Sequence, residues 1–327
     1  MVIRFHAVVF LLLIGALAAD EEETHRISAQ EGFKPWFTGP LIAPSANTLR
    51  AGRVNIQPYL FFTADTGIFT SDWHVENQPN FYHLNFRLPV KVGICDACDF
   101  QLTPQMHYKH TQGVGTSTLG DLPIVLNFQW LDAKTTDPWP SIKLGLGVNI
   151  PSGKYQQLSA NRLQTDIGGS GNWAPGPILT LGQLLHIYGT HYLEWRLSSS
   201  YRFGIPVGVK GINTYGGVSS TRGTVYPGNV LLVDGAIQYN LDQRWAFACD
   251  LIYQHTDKNR FCGQAGDLDE ESIGSVSSLS VEQFSIAPAI EYNLNENLGF
   301  LFGVWGALAG RNATQFISGV LSFNARI

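Results

Sequence analysis

Hydrophobic and polar residues alternate with a period of two along most of the chain beyond Gly52. This pattern indicates β-strands whose two faces lie in different environments. Twelve segments follow it, with the alternation weakest in the sixth: 53–63, 82–94, 100–109, 121–130, 142–150, 172–184, 193–198, 230–240, 244–256, 281–293, 298–309 and 315–327. The sequence therefore predicts an all-β protein of about twelve antiparallel strands.

Most of these segments are longer than the ~5–6 residues of an average strand in a globular protein. They reach the roughly 9–11 residues that a tilted strand needs to cross a bilayer. A lipid-exposed sheet cannot leave an edge unpaired, because each unsatisfied backbone group is costly in hydrocarbon. We therefore expect a closed transmembrane up-and-down β-barrel over residues 52–327, rather than a soluble secreted β-protein.

The connections between the segments alternate in length. Three short turns keep the strand parity, with apolar flanking pairs Ile94 and Phe100, Tyr239 and Trp245, and Tyr292 and Leu298. Long polar connections are predicted at 65–80, 110–118, 152–171, 204–227 and 257–280. Short periplasmic turns and long outer loops are typical of outer-membrane barrels. An even number of strands would place both termini on the periplasmic side.

The N-terminus has the pattern of an export signal. A basic start precedes the apolar run 7–17, and Ala16-Leu17-Ala18 supplies a small-x-small cleavage site. We predict a signal peptide over 1–18 and a periplasmic N-terminal segment over 19–51. Because Phe33, Trp36 and Phe37 are too apolar for a solvated linker, this segment is expected to pack into or against the barrel mouth.

Composition narrows the function classes. Charged residues make up 14% of the chain and hydrophobic residues 44%, which excludes a disordered chain. The net charge of −5 gives no electrostatic footprint for nucleic acid. Beyond the export signal, no apolar run approaches the ~18 residues of a spanning helix.

Charged residues of the polar parity are predicted to face the lumen. The candidates for lining a solute path are Arg87, Lys91, Asp121, Lys143, Glu194, Arg196, Asp234, Asp250 and Glu291. The same parity holds Arg53, His83, His107, Lys109, Arg244 and Arg326. Two interpretations stay open: ion pairs across the lumen that fill a narrow barrel, or a polar path or ligand site.

One pair of acids stands out in the predicted register. If Tyr239 faces Trp245, Asp234 lies directly opposite Asp250 on the inner face. Like charges in this position are destabilising. A proton, a cation or a nearby lumen arginine is then expected to hold them.

The cysteines and histidines give no catalytic or metal motif. Cys95 and Cys98 form a CxxC in a predicted turn without a second ligand pair, so an envelope disulfide is favoured over a metal site. No His-x-Ser of the kind found in outer-membrane phospholipases is present. We expect neither a cofactor nor an enzyme.

Several stretches resemble a known family. Residues 113–122 (GVGTSTLGDL) and 144–153 (LGLGVNIPSG) resemble the Gly-Asp-Leu strand start and Pro-Thr-Gly strand end of the phenol-degradation meta-pathway outer-membrane transporters, with Ser152 replacing the threonine. Residues 37–45 and 55–59 are similar to a transporter branch from intracellular Gram-negative bacteria. The resemblance implies a barrel that takes up small solutes, aromatic ones among them, and it assigns no binding residue.

The expected function is passive or facilitated passage of small, aromatic or anionic, solutes through the outer membrane of a Gram-negative bacterium. The alternative is a structural or adhesive barrel whose outer loops carry the function, and a hydrolase ranks below both. The expected partners are outer-membrane lipid, the solutes and the barrel assembly machinery. The last is expected because the alternating strand that ends at Ile327 resembles an insertion signal, although that signal usually ends in an aromatic residue.

Overall fold

The computed structural model describes residues 35–266, 276 and 278–327, so the predicted signal peptide and residues 19–34 lie outside the described residues. Apart from a 3-10 helix at Ala160–Arg162, the regular elements of this part are strands. No helix within it is long and apolar enough to cross a membrane. The strands are β1 (Val54–Ile56), β2 (Tyr59–Phe69), β3 (Val75–Arg87), β4 (Val90–Cys95), β5 (Cys98–Leu102), β6 (Gln105–Thr111), β7 (Val114–Leu119), β8 (Leu122–Leu131), β9 (Ser141–Ile150), β10 (Gly176–Tyr188), β11 (His191–Arg202), β12 (Val207–Lys210), β13 (Arg222–Tyr226), β14 (Val230–Asn240), β15 (Trp245–Thr256), β16 (Arg260–Gln264), β17 (Val281–Asn293), β18 (Leu298–Arg311) and β19 (Ala313–Arg326).

These strands form a closed antiparallel barrel of twelve, which confirms the predicted fold class. Four barrel strands are each divided in two: β1 with β2, β3 with β4, β5 with β6, and β7 with β8. The first three breaks fall at Pro58, Pro89 and Pro104. Proline has no N–H to give to the ladder, so each break follows from the residue type.

The barrel closes between its first and last strands. β19 pairs with β1 and with β2, and Val54 and Ile327 exchange two backbone hydrogen bonds of 2.8 Å. No sheet edge is therefore left along this seam. The closure satisfies the backbone groups that a lipid-facing sheet must pair.

The two faces of the wall have reversed polarity compared with a soluble protein. Large apolar side chains are exposed on the outside, among them Phe62, Leu126, Leu146, Ile237, Leu251, Phe302, Leu308 and Leu321. Polar side chains are buried on the inside, among them Asn127, Lys143, Thr180, Ser198, Gln238 and Ser318. An apolar exterior around a polar lumen is the arrangement that a bilayer requires.

The predicted parity across the short turns is confirmed, but the predicted register is wrong by two residues. Tyr239 pairs with Phe247 rather than Trp245. At this turn the Asp242 carboxylate accepts hydrogen bonds from the N–H groups of Arg244 and Trp245, at 2.6 and 2.7 Å. The pairing is therefore centred on Gln243 rather than Asp242, and each partner on β15 lies two residues further along the chain.

Two of the five long outer connections are strand rather than loop. Residues 65–80 belong mostly to the β2–β3 hairpin, and 110–118 to the β6–β7 hairpin. Gln112 and Gly113 form the tip of the latter with φ of 46° and 79°, as a two-residue hairpin turn requires. In the outer parts of these two hairpins both faces are polar. The alternation of hydrophobic and polar residues therefore stops, although the strands continue.

Candidate functional site

The lumen is crossed by the chain that precedes the first strand. We call residues 36–49 the lumen segment. It begins near the ends of β14 and β17, where Asn293 donates a hydrogen bond of 3.1 Å to the Trp36 carbonyl. It ends near the β4–β5 turn, where the Leu49 N–H donates to Asp99 at 2.8 Å. Its path runs through the barrel and then continues into β1.

The lumen segment has no charged side chain: its sequence is WFTGPLIAPSANTL. Leu41, Ala43 and Ala46 are buried at 2–4% exposure. Buried backbone N–H and carbonyl groups need partners, and an extended segment cannot supply its own. The inner wall of the barrel supplies them.

Two carboxylates of the wall accept the N–H groups of the segment. Asp250 on β15 accepts from Leu41, Ile42 and Ala43 at 3.0, 3.3 and 2.8 Å. Glu291 on β17 accepts from Gly39 at 3.0 Å and also from Thr38.

The carbonyls of the segment are bound by donors on other strands. Arg196 on β11 donates to the Ala43 carbonyl at 3.2 Å, and Lys143 on β9 donates to the Ser45 carbonyl. Gln129 on β8 donates to the Ala46 carbonyl and accepts from the Thr48 N–H. Arg326 on β19 donates to the Phe37 carbonyl at 2.9 Å.

Glycines on the inner wall give the segment its space. A Cβ atom at Gly182 would lie 2.8 Å from the Cβ of Ala46. One at Gly303 would lie 2.7 Å from the side chain of Leu41. Real Cβ atoms do not approach so closely, so larger residues there would have to displace the segment.

The nine predicted path residues divide into four groups. Asp250, Glu291, Arg196 and Lys143 contact the lumen segment, and Glu194 forms two hydrogen bonds of 2.8 and 2.9 Å with Arg196. Arg87 lies 4.6 Å from the centre of the Phe61 ring, and Lys91 lies on β4 between Asn55 and Gln101. Asp121 holds an outer loop. Asp234 is fully buried, and no described residue gives a hydrogen bond to either of its oxygens.

Of the two interpretations of the lumen charges, ion pairs across the lumen are not found among the described residues. The ion pairs among the described residues join side chains of one strand, of neighbouring strands or of loops. The segment lies between the walls and takes their charged groups instead. Asp250 is opposite Ala236, and Asp234 is opposite Ile252, so the two acids are not directly opposed. Arg244 is exposed in the β14–β15 turn, outside the lumen.

An apolar patch on the inner wall is absent from the sequence prediction. Phe61, Ile252, Leu301 and Val320 form a buried cluster with Leu41 of the lumen segment. Trp305 packs on this cluster and donates to the Ser285 hydroxyl at 2.9 Å. The signal was present in the sequence, because aromatic residues occupy the polar parity of β2 and β18.

An outer loop, residues 152–171, folds against the inner face of β6–β8. Asp121 accepts hydrogen bonds from the Gly153 N–H at 3.0 Å and from the N–H and hydroxyl of Ser170, both at 2.8 Å. Lys109 donates to the Ile167 carbonyl at 2.7 Å. The loop therefore narrows the outer half of the lumen.

The other outer loops form a cap with its own core. β12, β13 and β16 make a three-stranded sheet. Three valines of this sheet, Val207, Val209 and Val225, are buried together with Val276. Tyr215 connects this cap to the 152–171 loop by a hydrogen bond of 2.8 Å to the Ser170 carbonyl, and burial raises the pKa of its hydroxyl.

The cysteines carry no bond in this structure. Cys95 and Cys98 are opposite each other across the β4–β5 turn as free thiols, and the disulfide between them stays a prediction. Cys249 and Cys262 are also free. Within 35–266, 276 and 278–327 no group of three His, Cys, Asp or Glu side chains could hold a metal ion.

The fold is similar to that of an outer membrane channel from Pseudomonas putida F1. The two structures give a TM-score of 0.65 at 12% sequence identity, over 88% of this chain and 100% of that one. The NanC porin gives 0.42 at 10% identity, over 83% and 98%. The transport unit of the autotransporter AIDA-I from Escherichia coli gives 0.45 at 13% identity, over 87% and 93%.

The sequence itself matches no protein-family model and no curated protein. At these identities the first likeness shows the fold, and the two weaker ones carry no argument. The chain therefore shares the β-barrel fold of that outer membrane channel. With its apolar outer surface, this barrel is an outer-membrane protein.

Proposed function

We propose that this protein is an outer-membrane channel for passive or facilitated passage of small solutes, and that its lumen segment keeps the passage closed at rest. The observation that carries the proposal is how the segment is held. Charged side chains bind its backbone, whereas the side chains of a merely structural barrel would pair with one another. Such contacts are made and broken without unfolding the wall.

The free energy of these contacts is compatible with a segment that binds to the wall and leaves it reversibly. Hydrogen bonds to charged groups contribute about 1.5–3 kcal/mol each in proteins, and the segment exchanges them for water when it leaves. The ladder of the barrel is unchanged in either state, because none of its backbone bonds involves residues 36–49. Fixing a backbone costs about 1–2 kcal/mol of conformational entropy per residue, and residues 36–49 regain this free energy when they leave the wall. The two contributions are of similar size, so the closed and open states can differ by a few kcal/mol.

Two features bear on the kind of solute. The aromatic patch of Phe61 and Trp305 offers an apolar contact surface inside the lumen. This surface, with the resemblance to the phenol-degradation meta-pathway transporters, supports aromatic compounds among the solutes. Basic residues of β3, β4 and β9 favour anionic groups on the same path.

The placement in the cell completes the proposal. The signal peptide over 1–18 exports the chain, residues 19–51 form a periplasmic N-terminal segment whose part 36–49 enters the lumen, and residues 52–327 form the barrel. Recognition of β19 by the barrel assembly machinery is supported by its role as the closing strand.

Liposome swelling with solutes of graded size tests the channel. The double variant Asp250→Asn/Glu291→Gln keeps the side-chain shapes and removes both negative charges that hold the segment. We expect swelling with small solutes to be faster for the variant than for the wild type. Heat-modifiable gel migration checks that both barrels are folded. If both are folded and neither passes any solute, the protein is not a channel.

The structural or adhesive alternative has one observation in its favour. The outer face of the cap sheet exposes Lys210, Arg222 and Arg260 and no acidic residue. Binding of anionic surface glycans that is lost in a triple Gln variant, from a barrel that passes no solute, would favour this function instead.

A further inference from the structure

We propose that the part of the lumen filled by Ala43, Pro44 and Ser45 is a binding site for zwitterionic solutes of about tripeptide length, which compete with the lumen segment. This inference rests on the proposed function, because it names a solute class for the same lumen. It starts from the groups that hold these three residues. Their two ends lie on side chains of opposite charge.

The amino end is bound by a carboxylate and the carbonyl end by an ammonium group. Asp250 accepts from the Ala43 N–H at 2.8 Å, and Lys143 donates to the Ser45 carbonyl. In a free tripeptide the first nitrogen is an ammonium group and the last carbonyl is a carboxylate. The same positions then give two ion pairs, in which full opposite charges replace the neutral amide groups of the segment at both ends.

The length of the solute follows from the segment itself. Three extended residues span at most about 10 Å. Ala43 and Ser45 occupy this span between Asp250 and Lys143. A single amino acid cannot reach both side chains, and a neutral sugar offers neither charge.

Arg196 lies between Asp250 and Lys143 and fixes how a bound tripeptide is aligned. Its Nη1 donates to the Ala43 carbonyl at 3.2 Å. Glu194 holds the guanidinium through Nε and Nη2, at 2.8 and 2.9 Å. A donor held on two sides is preorganised for the first peptide carbonyl of a bound tripeptide.

The carboxylate of Asp234 supports an ammonium site independently of these contacts. It lies on the inner face of β14 beside Ala236, the residue opposite Asp250, and its side chain is 0% exposed. The segment gives three N–H groups to Asp250, whereas no described residue donates to Asp234. A buried carboxylate without a partner is costly.

An ammonium group matches this arrangement better than the segment does. It carries three N–H donors and a full positive charge, whereas the amide of Ala43 has one donor and no charge. When it is bound at Asp250, its positive charge also lies near Asp234, which is one inner-face position away along the strand. The site is thus more complementary to a free amino terminus than to the chain that now fills it.

Displacement of the segment can be measured by thiol labelling of the full chain. The reporter is Ala46→Cys in a protein whose four native cysteines are replaced by serine. Residue 46 is buried at 3% exposure, so a maleimide reaches it only when the segment leaves. The probes are the tripeptide Ala-Pro-Ser and its N-acetyl, C-amide form.

We expect the free tripeptide to raise the labelling rate in a saturable way, with at least about tenfold higher affinity than the capped peptide. Lys143→Gln removes the contact to the carboxylate end and should reduce the difference between the two peptides, while the contact of Asp250 to the ammonium group remains. Lys109→Gln removes an inner-wall lysine that binds the outer loop, and it should preserve the difference. Equal effects of both peptides, or no effect of either, would overturn the inference.

The labelling rate can be measured whether or not a solute passes through the barrel. If liposomes swell with neutral solutes while labelling ignores the free tripeptide, the channel stands and this solute class is wrong. If labelling responds as expected and no solute passes any variant, the binding site stands and the proposed transport fails.

Discussion

The Ala43 N–H donates a hydrogen bond of 2.8 Å to the Asp250 carboxylate, across 207 positions of the chain. One residue lies in the chain that precedes the barrel, and the other lies on the inner face of β15. The closure of the lumen thus depends on a side chain of the wall rather than on the strand ladder. Variants can therefore change the occupancy of the lumen without changing the fold.

Asp250→Asn is expected to loosen the middle of the lumen segment. It removes the charge that three backbone N–H groups contact, which weakens the hold on the segment by about 1–3 kcal/mol. Hydrogen exchange at Leu41 and Ala43 should become roughly 5- to 150-fold faster. Exchange in β19 should not change.

The matched control for that variant is Asp234→Asn. This acid lies on the same inner face and binds no N–H of the segment, so exchange at Leu41 and Ala43 should not accelerate. Equal acceleration by both substitutions would mean that the general charge of the lumen, and not the specific contact, holds the segment.

Gly182→Val is expected to push the segment away from β10. A Cβ atom there already lies 2.8 Å from Ala46, and valine adds two methyl groups. Maleimide labelling at Ala46→Cys should rise. Gly235→Val adds the same volume at a wall position with no atom within 4 Å and should leave labelling unchanged. A segment that stays protected in both variants would contradict the fitted position of residues 36–49.

Asp121→Asn is expected to release the 152–171 loop from the inner wall. The carboxylate accepts several hydrogen bonds from the loop, and losing its charge costs about 1.5–3 kcal/mol of loop stability. Tryptic cleavage after Arg162 should accelerate about tenfold or more. Asp132→Asn, in a periplasmic turn, serves as the control. Unchanged cleavage in the Asp121 variant would show that other contacts hold the loop.

Leu146→Arg is expected to destabilise the barrel in lipid vesicles. Leu146 is 67% exposed on the outside of β9, and an arginine near the bilayer midplane costs about 2–4 kcal/mol. Unfolding by denaturant measures this loss. Leu163→Arg, in an exposed outer loop, should have little effect. A harmless Leu146→Arg would mean that this surface does not face lipid.

The barrel could be predicted from the sequence because the two faces of its wall differ in polarity. The parity of β14 and β15 follows from apolar residues such as Tyr239 and Phe247. Their register could not be predicted, because it depends on how the Asp242 side chain closes the turn. The sequence predicts a loop at Gln112 instead of a hairpin, because the two strands extend beyond the region where their faces differ in polarity.

The lumen segment could be placed near the barrel but not within its charged walls. Asp250 and Lys143 were expected to face other charges, since a sequence pattern shows side chains and not backbone partners. Their partners are the N–H of Ala43 and the carbonyl of Ser45, in a stretch without any charge. The sequence therefore predicts several of the side chains that line the lumen, but it does not show which groups they bind.

A reversible disulfide between the lumen segment and β10 tests whether the segment closes the channel. Ala46→Cys and Gly182→Cys, in a protein without native cysteines, bring two Cβ positions 2.8 Å apart, and a small shift gives the ~3.5–4.5 Å of a disulfide. Single-channel conductance is recorded before and after reduction in the same membrane. We expect a closed channel when the bond is formed and repeated openings once it is reduced. Equal conductance in both states would mean that the lumen segment does not close the channel.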